Sequence, residues 1–224
     1  MKSQLIFSTL TALALAAGGS RAQDGPPPLA PLPGDPAEQP APSASAAPAE
    51  VVASAVDAVA KLGNEVVLGR YQVAVERMNS DWKERTAARL GGVEVLEKRL
   101  AGVAQQMVQQ GVSMISFAPQ GLPRSYEVGP GKKVETVAGE EVESLIFTKW
   151  LVMIPTVTKF RVMRQGEKPV VIERTGFQVA ISDKGADDWT FIDGSGLTIN
   201  DLRSLYVTLP KDLEFPPVGA REAR

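Results

Sequence analysis

At Gly111 the apolar repeat of this chain changes from about 3.6 residues to 2, and that change fixes the order of its architecture. Before it, Val52, Val56, Val59 and Leu62 share one helical face over 51–62, and Gly63 is predicted to end that run. A second helical stripe, Val67, Tyr71, Ala74 and Met78, covers 65–79. Asp81 and Glu84 have the spacing of a capping box for a helix running through Trp82 to Leu90. Leu96, Leu100, Val103 and Met107 mark a fourth helix over 93–110, with Gly111 as its C′ residue. After it, strands are predicted at 112–118, 133–138, 144–154, 156–164, 170–182 and 189–193. Pro155 is expected to close one of them, and turns are expected at 165–168 and 183–188. A short helix over 200–206 and a proline-punctuated tail follow. Helices first and turn-connected strands second predict an α+β domain: N-terminal helices packed on an antiparallel sheet.

The first fifty residues are of two other kinds. A basic start at Lys2, an uncharged and mostly apolar stretch over 5–17, and Ser20-Arg21-Ala22 have the layout of a secretory signal peptide. Cleavage is expected after Ala22, and the apolar stretch is shorter than the roughly 20 residues that span a bilayer. An uncleaved anchor is the alternative. Export to the periplasm or extracellular space follows, with no stable membrane insertion after signal cleavage. Residues 23–50 contain nine prolines and seven alanines among 28 and no aromatic, Lys or Arg, so they lack the apolar surface to offset their ordering entropy. They read as a disordered Pro/Ala-rich linker; Pro28-Leu29-Ala30-Pro31 also fits a P-x-x-P docking pattern. Residues 51–224 then form a single domain with 22 basic and 22 acidic side chains.

The chain has no cysteine and no histidine. Disulfides, thiol nucleophiles, Cys/His zinc sites and His-dependent triads are therefore excluded. The charge balance carries no basic footprint for nucleic acid. No cofactor, metal or catalytic residue is assigned.

Tyr71, Trp82 and Trp150 are the candidate pocket-lining residues: a buried Tyr can donate to a ligand oxygen, although all three also suit a packed core. Glu173 and Arg174 stand mid-strand on opposite faces, and whichever faces the interior is a site candidate. The plainer reading pairs them across the sheet with Lys159 or Arg161. Residues 182–189, Ser-Asp-Lys-Gly-Ala-Asp-Asp-Trp, partly match a β-propeller turn and hold three aspartates, yet they occur once and lack a calcium-loop ladder; they read as a hairpin turn. Gly129-Pro130-Gly131-Lys132-Lys133 has no early glycine and no following helix, so it reads as a loop and not a phosphate cradle.

Trp189-Thr190-Phe191-Ile192-Asp193-Gly194, then Leu197-Thr198, Asp201-Leu202 and 209–216 (Leu-Pro-Lys-Asp-Leu-Glu-Phe-Pro), resemble the last strand and C-terminal segment of exported bacterial proteins of the nuclear transport factor 2-like superfamily. The resemblance covers about 65–216 and implies a cone-shaped fold whose curved sheet wraps helices around a hydrophobic pocket. It also implies a homodimer through the outer sheet face. Isomerases, cyclases and epoxide hydrolases of that superfamily use pocket carboxylates, none of which has a specific counterpart here. The expectation is an exported, non-enzymatic module, tethered by the Pro/Ala arm, that binds a small apolar ligand or a protein partner. A pocket enzyme of the isomerase or cyclase type with a carboxylate base, and a structural assembly protein of the cell envelope, are the alternatives. The strand charges are expected beside opposite charges or near turns, leaving no acid–base pair in the cavity.

Overall fold

The computed structural model describes residues 46–137, 140–163 and 166–223. The expected signal segment, most of the Pro/Ala arm, and residues at the edges of three predicted elements (Ala138 and Arg164 of two strands, Gln165 of a turn) lie outside them. Four helices, α1 (Ala49–Val67), α2 (Gln72–Glu76), α3 (Ser80–Leu90) and α4 (Val93–Gln109), precede four strands, β1 (Val112–Pro119), β2 (Arg124–Val137), β3 (Glu140–Val162) and β4 (Val170–Asp183). β5 (Thr190–Asp193), α5 (Ile199–Leu205) and β6 (Gly219–Glu222) complete the chain. The fold is α+β, with helices followed by a curved antiparallel sheet. The strand order is β1-β3-β4-β5; β2 shares β3 with β1, and β6 shares β4 with β5.

The helix boundaries differ from expectation at three glycine or cap positions. Gly63 does not end α1 but lies buried inside it. An added Cβ there would sit 1.9 Å from the Phe117 ring, so this glycine marks close helix–strand approach. The break comes instead at Gly69, whose φ of +82° stops the chain before α2. α3 is capped by Asn79, whose side chain accepts from Trp82 N at 3.2 Å, and not by Asp81. Gly111 follows the last residues of α4 with a φ of +67°, as a C′ residue should.

Two of the expected strands merge into one, and a short strand near the C-terminus, β6, was not expected. Residues 144–154 and 156–162 belong to one 23-residue strand, and Pro155 lies within it, opposite Phe177. β1 pairs as far as Thr156 and β2 begins at Met153, so Pro155 faces the junction between them. Its carbonyl accepts from Gln120 N there at 2.8 Å, and no ladder partner needs the N–H that proline lacks. The glycine-rich stretch at 129–133 is part of β2 and not a loop; Thr148 Oγ1 donates to the Gly129 carbonyl opposite it at 2.8 Å, and the register is the same on either side. The 183–188 turn forms as expected, and each of its aspartates has a partner. Asp183 pairs with Lys149, Asp187 accepts from Ser54 and Trp189, and Asp188 pairs with Arg77.

Alternation along β3 and β4 divides the core. Val152, Ile154, Ala180 and Phe191 face α1, packing on Ala55 and Val59. Phe160 and Val112 pack on Met107 of α4. Leu151, Met153, Phe177, Val179, Ile181 and Ile192 face the opposite way and are covered by Leu197, Leu202, Tyr206, Leu209 and Leu213. The C-terminal segment thus forms a third layer. Its helix α5 is held by a capping box between Thr198 and Asp201, and Arg89 of α3 pairs with Asp201 at 2.6 Å. Burial works against the Asp201 carboxylate, but hydrogen bonds from Arg89 and Thr198 outweigh it and hold its pKa below the usual value.

Candidate functional site

The sheet face that receives α1 is not filled along its whole length. Toward its β1 side α1 ends, α2 is only one turn, and α4 stands off, leaving a hollow of about 570 Å3. Leu62, Val66, Leu100 and Val103 line its helical wall, and Met78, bridged to Phe191, adds to the lining. Phe160, Thr158 and Thr156 come from β3, and Arg174, Gly176 and Gln178 from β4. These are alternate residues, as a single sheet face requires. Gly176 contributes to the space: its nearest neighbour to an added Cβ is Thr156 Oγ1, at 3.8 Å.

One end of this apolar hollow is polar. Asp193 closes β5 opposite Gln178 and shares the inward parity of Phe191. Its Oδ1 accepts from the Ser195 backbone N–H at 3.1 Å and, more weakly, from Gln178 Nε2 at 3.4 Å. Arg174 donates to Ser195 Oγ at 3.0 Å. Asp193 is exposed at the end of β5, although many protein atoms surround its carboxyl within a wider radius. Desolvation raises its pKa above the usual carboxylate value; the Ser195 hydrogen bonds and the Arg174 charge counteract this only in part.

The sequence candidates are dispersed. Tyr71 lines the hollow at the start of α2. Trp82 does not; it packs against the opposite core, beside Tyr126 and Leu205. Trp150 does not either; it lies in the cluster under α1, with the Lys184 ammonium 4.5 Å from its ring centre. Both are explained by packing and, for Trp150, a cation–π contact. Glu173 faces away from the hollow and pairs with Arg221 and Lys159. The Arg221 hydrogen bond leads in lowering its pKa. Arg174 faces in. Two strand charges, Arg174 and Asp193, thus face the hollow, and Asp193 stands exposed at a strand end beside a turn, where such charges were expected. Asp193 was legible only as part of a structural motif, although its position two residues after Phe191 already placed it on the inner face.

A second hollow of about 630 Å3 runs along the outside of α1, lined by Glu50, Asp57, Lys61, Glu65 and Arg77. It is a charged surface, and Arg77 within it is already paired with Asp188. Among the described residues no cluster of acidic side chains has the makings of a metal site, and no helix is long and apolar enough to cross a membrane. Comparison with known proteins finds no matching family, no matching curated protein and no matching solved structure.

Proposed function

We propose that this chain is an exported binding module whose folded domain takes a small, mainly apolar ligand into the hollow between α1, α4 and the sheet, with the Pro/Ala arm as tether. The carrying observation is the hollow itself. Its volume of about 570 Å3 falls in the range typical of small-molecule sites, and apolar walls end in a few convergent polar groups. The helices leave this space because α2 is a single turn of five residues where a longer helix would fill it. The superfamily resemblance agrees with such a pocket.

A neutral apolar fluorophore, Nile red, tests this. Binding should be saturable with one site per chain, and amide shifts should concentrate on Val66, Val103, Thr158 and Phe160. Val66→Trp, which places an indole in the hollow, should abolish binding while leaving the unfolding midpoint within about 1 kcal/mol in equivalent stability. Binding that survives Val66→Trp, or shifts that map elsewhere, would remove the reading.

The second reading, a pocket enzyme, is favoured by one observation. Asp193 and Tyr71 line the same apolar hollow, which gives it a desolvated carboxylate and a phenolic donor. In that role Asp193 would take a proton from a carbon acid. The discriminating measurement is exchange of α-protons of an enclosed cyclic ketone into deuterated buffer. Exchange lost in Asp193→Asn would establish this reading over simple binding.

A further inference from the structure

We propose that the ligand of this hollow carries one anionic head group of the carboxylate type, seated on the Arg174 guanidinium, with its apolar part directed toward Val66, Val103 and Phe160. The inference rests on the ligand-binding reading above and specifies its chemistry.

Four titratable side chains line the hollow: Tyr71, Arg99, Arg174 and Asp193. Two are permanent cations. Arg99 projects from α4 and is exposed, so water screens it at the mouth. Arg174 rises from the middle of β4 and is half-buried. It makes no ion pair among the described residues, and its one hydrogen bond goes to the neutral hydroxyl of Ser195. A guanidinium offers five N–H donors, so most of its capacity is unspent. A cation in a partly apolar wall with one neutral partner carries an uncompensated desolvation cost. Its mirror image on the other sheet face, Glu173, has two cationic partners. The contrast is specific to the inward side.

Asp193 feels the Arg174 charge but does not pair with it. Its Oδ1 is held by Ser195 and Gln178, and no contact to Arg174 closes to ion-pair distance. A ligand carboxylate matches the guanidinium fork in shape and charge. An ammonium head would meet two arginines.

Three probes with one tail, octanoate, octanol and octylamine, are titrated into the purified chain at pH 7 with Nile red displacement and amide shifts as readouts. Octanoate should bind at least about tenfold tighter than octanol, the value expected of one charge-assisted pair, and octylamine should bind weakest. Arg174→Met should bring octanoate down to the affinity of octanol and leave octanol unchanged; Arg174→Lys should retain part of the preference. Octanol or octylamine binding as tightly as octanoate overturns the anionic head while leaving the cavity reading intact. Failure of all three, with Nile red also unbound, overturns both. The wild-type ranking needs no variant, so misfolding of Arg174→Met would not protect the inference.

Discussion

Asp193 is where fold stability and site chemistry conflict. Its carboxyl is held by two donors, which favours the anion, but its surroundings desolvate it, and desolvation wins. A carboxyl whose folded pKa lies above its unfolded value stabilises the fold only while protonated. The contribution is complete below the unfolded Asp range near about 4 and is lost as pH rises through the folded pKa. At neutral pH the ionised group therefore opposes folding. Asp193→Asn keeps an Oδ1 acceptor for Ser195 and Gln178 and removes the charge. Its denaturant midpoint should exceed that of the wild type at pH 7, and the two should converge below about pH 3. A variant less stable than wild type at pH 7 would show that the Arg174 charge, not desolvation, governs this group.

At the scale of elements, the contact of α1 with β1 depends on Gly63. Helical propensity alone favours alanine there by about 1 kcal/mol. The Phe117 ring occupies the place of the missing Cβ, so Gly63→Ala should overpack the contact and give a net loss of about 1–2 kcal/mol in chemical denaturation. With Phe117→Ala already present, the same substitution should become stabilising, because only the propensity gain remains. Additive effects in that cycle would mean the ring moves aside at no cost. The same glycine shows what could be read from the chain. Periodicity located α1, α4 and the change to strands, because 3.6 and 2 are properties of local sequence, but the helix expected over 65–79 is split by Gly69 into the end of α1 and the single turn α2, with Met78 beyond both. It could not distinguish a glycine that stops a helix from one that lets a strand approach it, since that depends on Phe117, 54 positions later. Pro155 failed as a stop signal for a similar reason. Its missing N–H is harmless only because β1 ends and β2 starts beside it. Arg174 and Glu173 were correctly placed on opposite faces, but which face was inward became legible only with α1 on the sheet.

Across the whole molecule, three layers depend unequally on the chain's two ends. The α1 layer begins at Ala49, and the residue before the helix-leading proline, Ala47, donates its backbone N–H to Ser125 Oγ at 2.9 Å. Upstream, residues 23–45 have a composition that buries little. At the other end, Leu202, Leu209 and Leu213 are almost wholly buried on the face of the sheet away from α1. Each fully buried leucine contributes about 1.5–3 kcal/mol, and three of them approach the total stability of a typical domain, about 5–15 kcal/mol. A chain starting at Ala46 should therefore unfold within about 1 kcal/mol of the chain starting at Gln23. A chain ending at Ser195 should lose cooperative unfolding altogether, because Leu151, Met153, Val179 and Ile181 would face water. The measurement is urea denaturation of all three by circular dichroism. If the chain ending at Ser195 folded cooperatively, the third layer would be an accessory and the α1 side alone would hold the sheet. If removal of 23–45 lowered stability by several kcal/mol, the arm would be a packed part of the domain. Its length would then be set by where it docks, and the spacer role proposed for it would be lost.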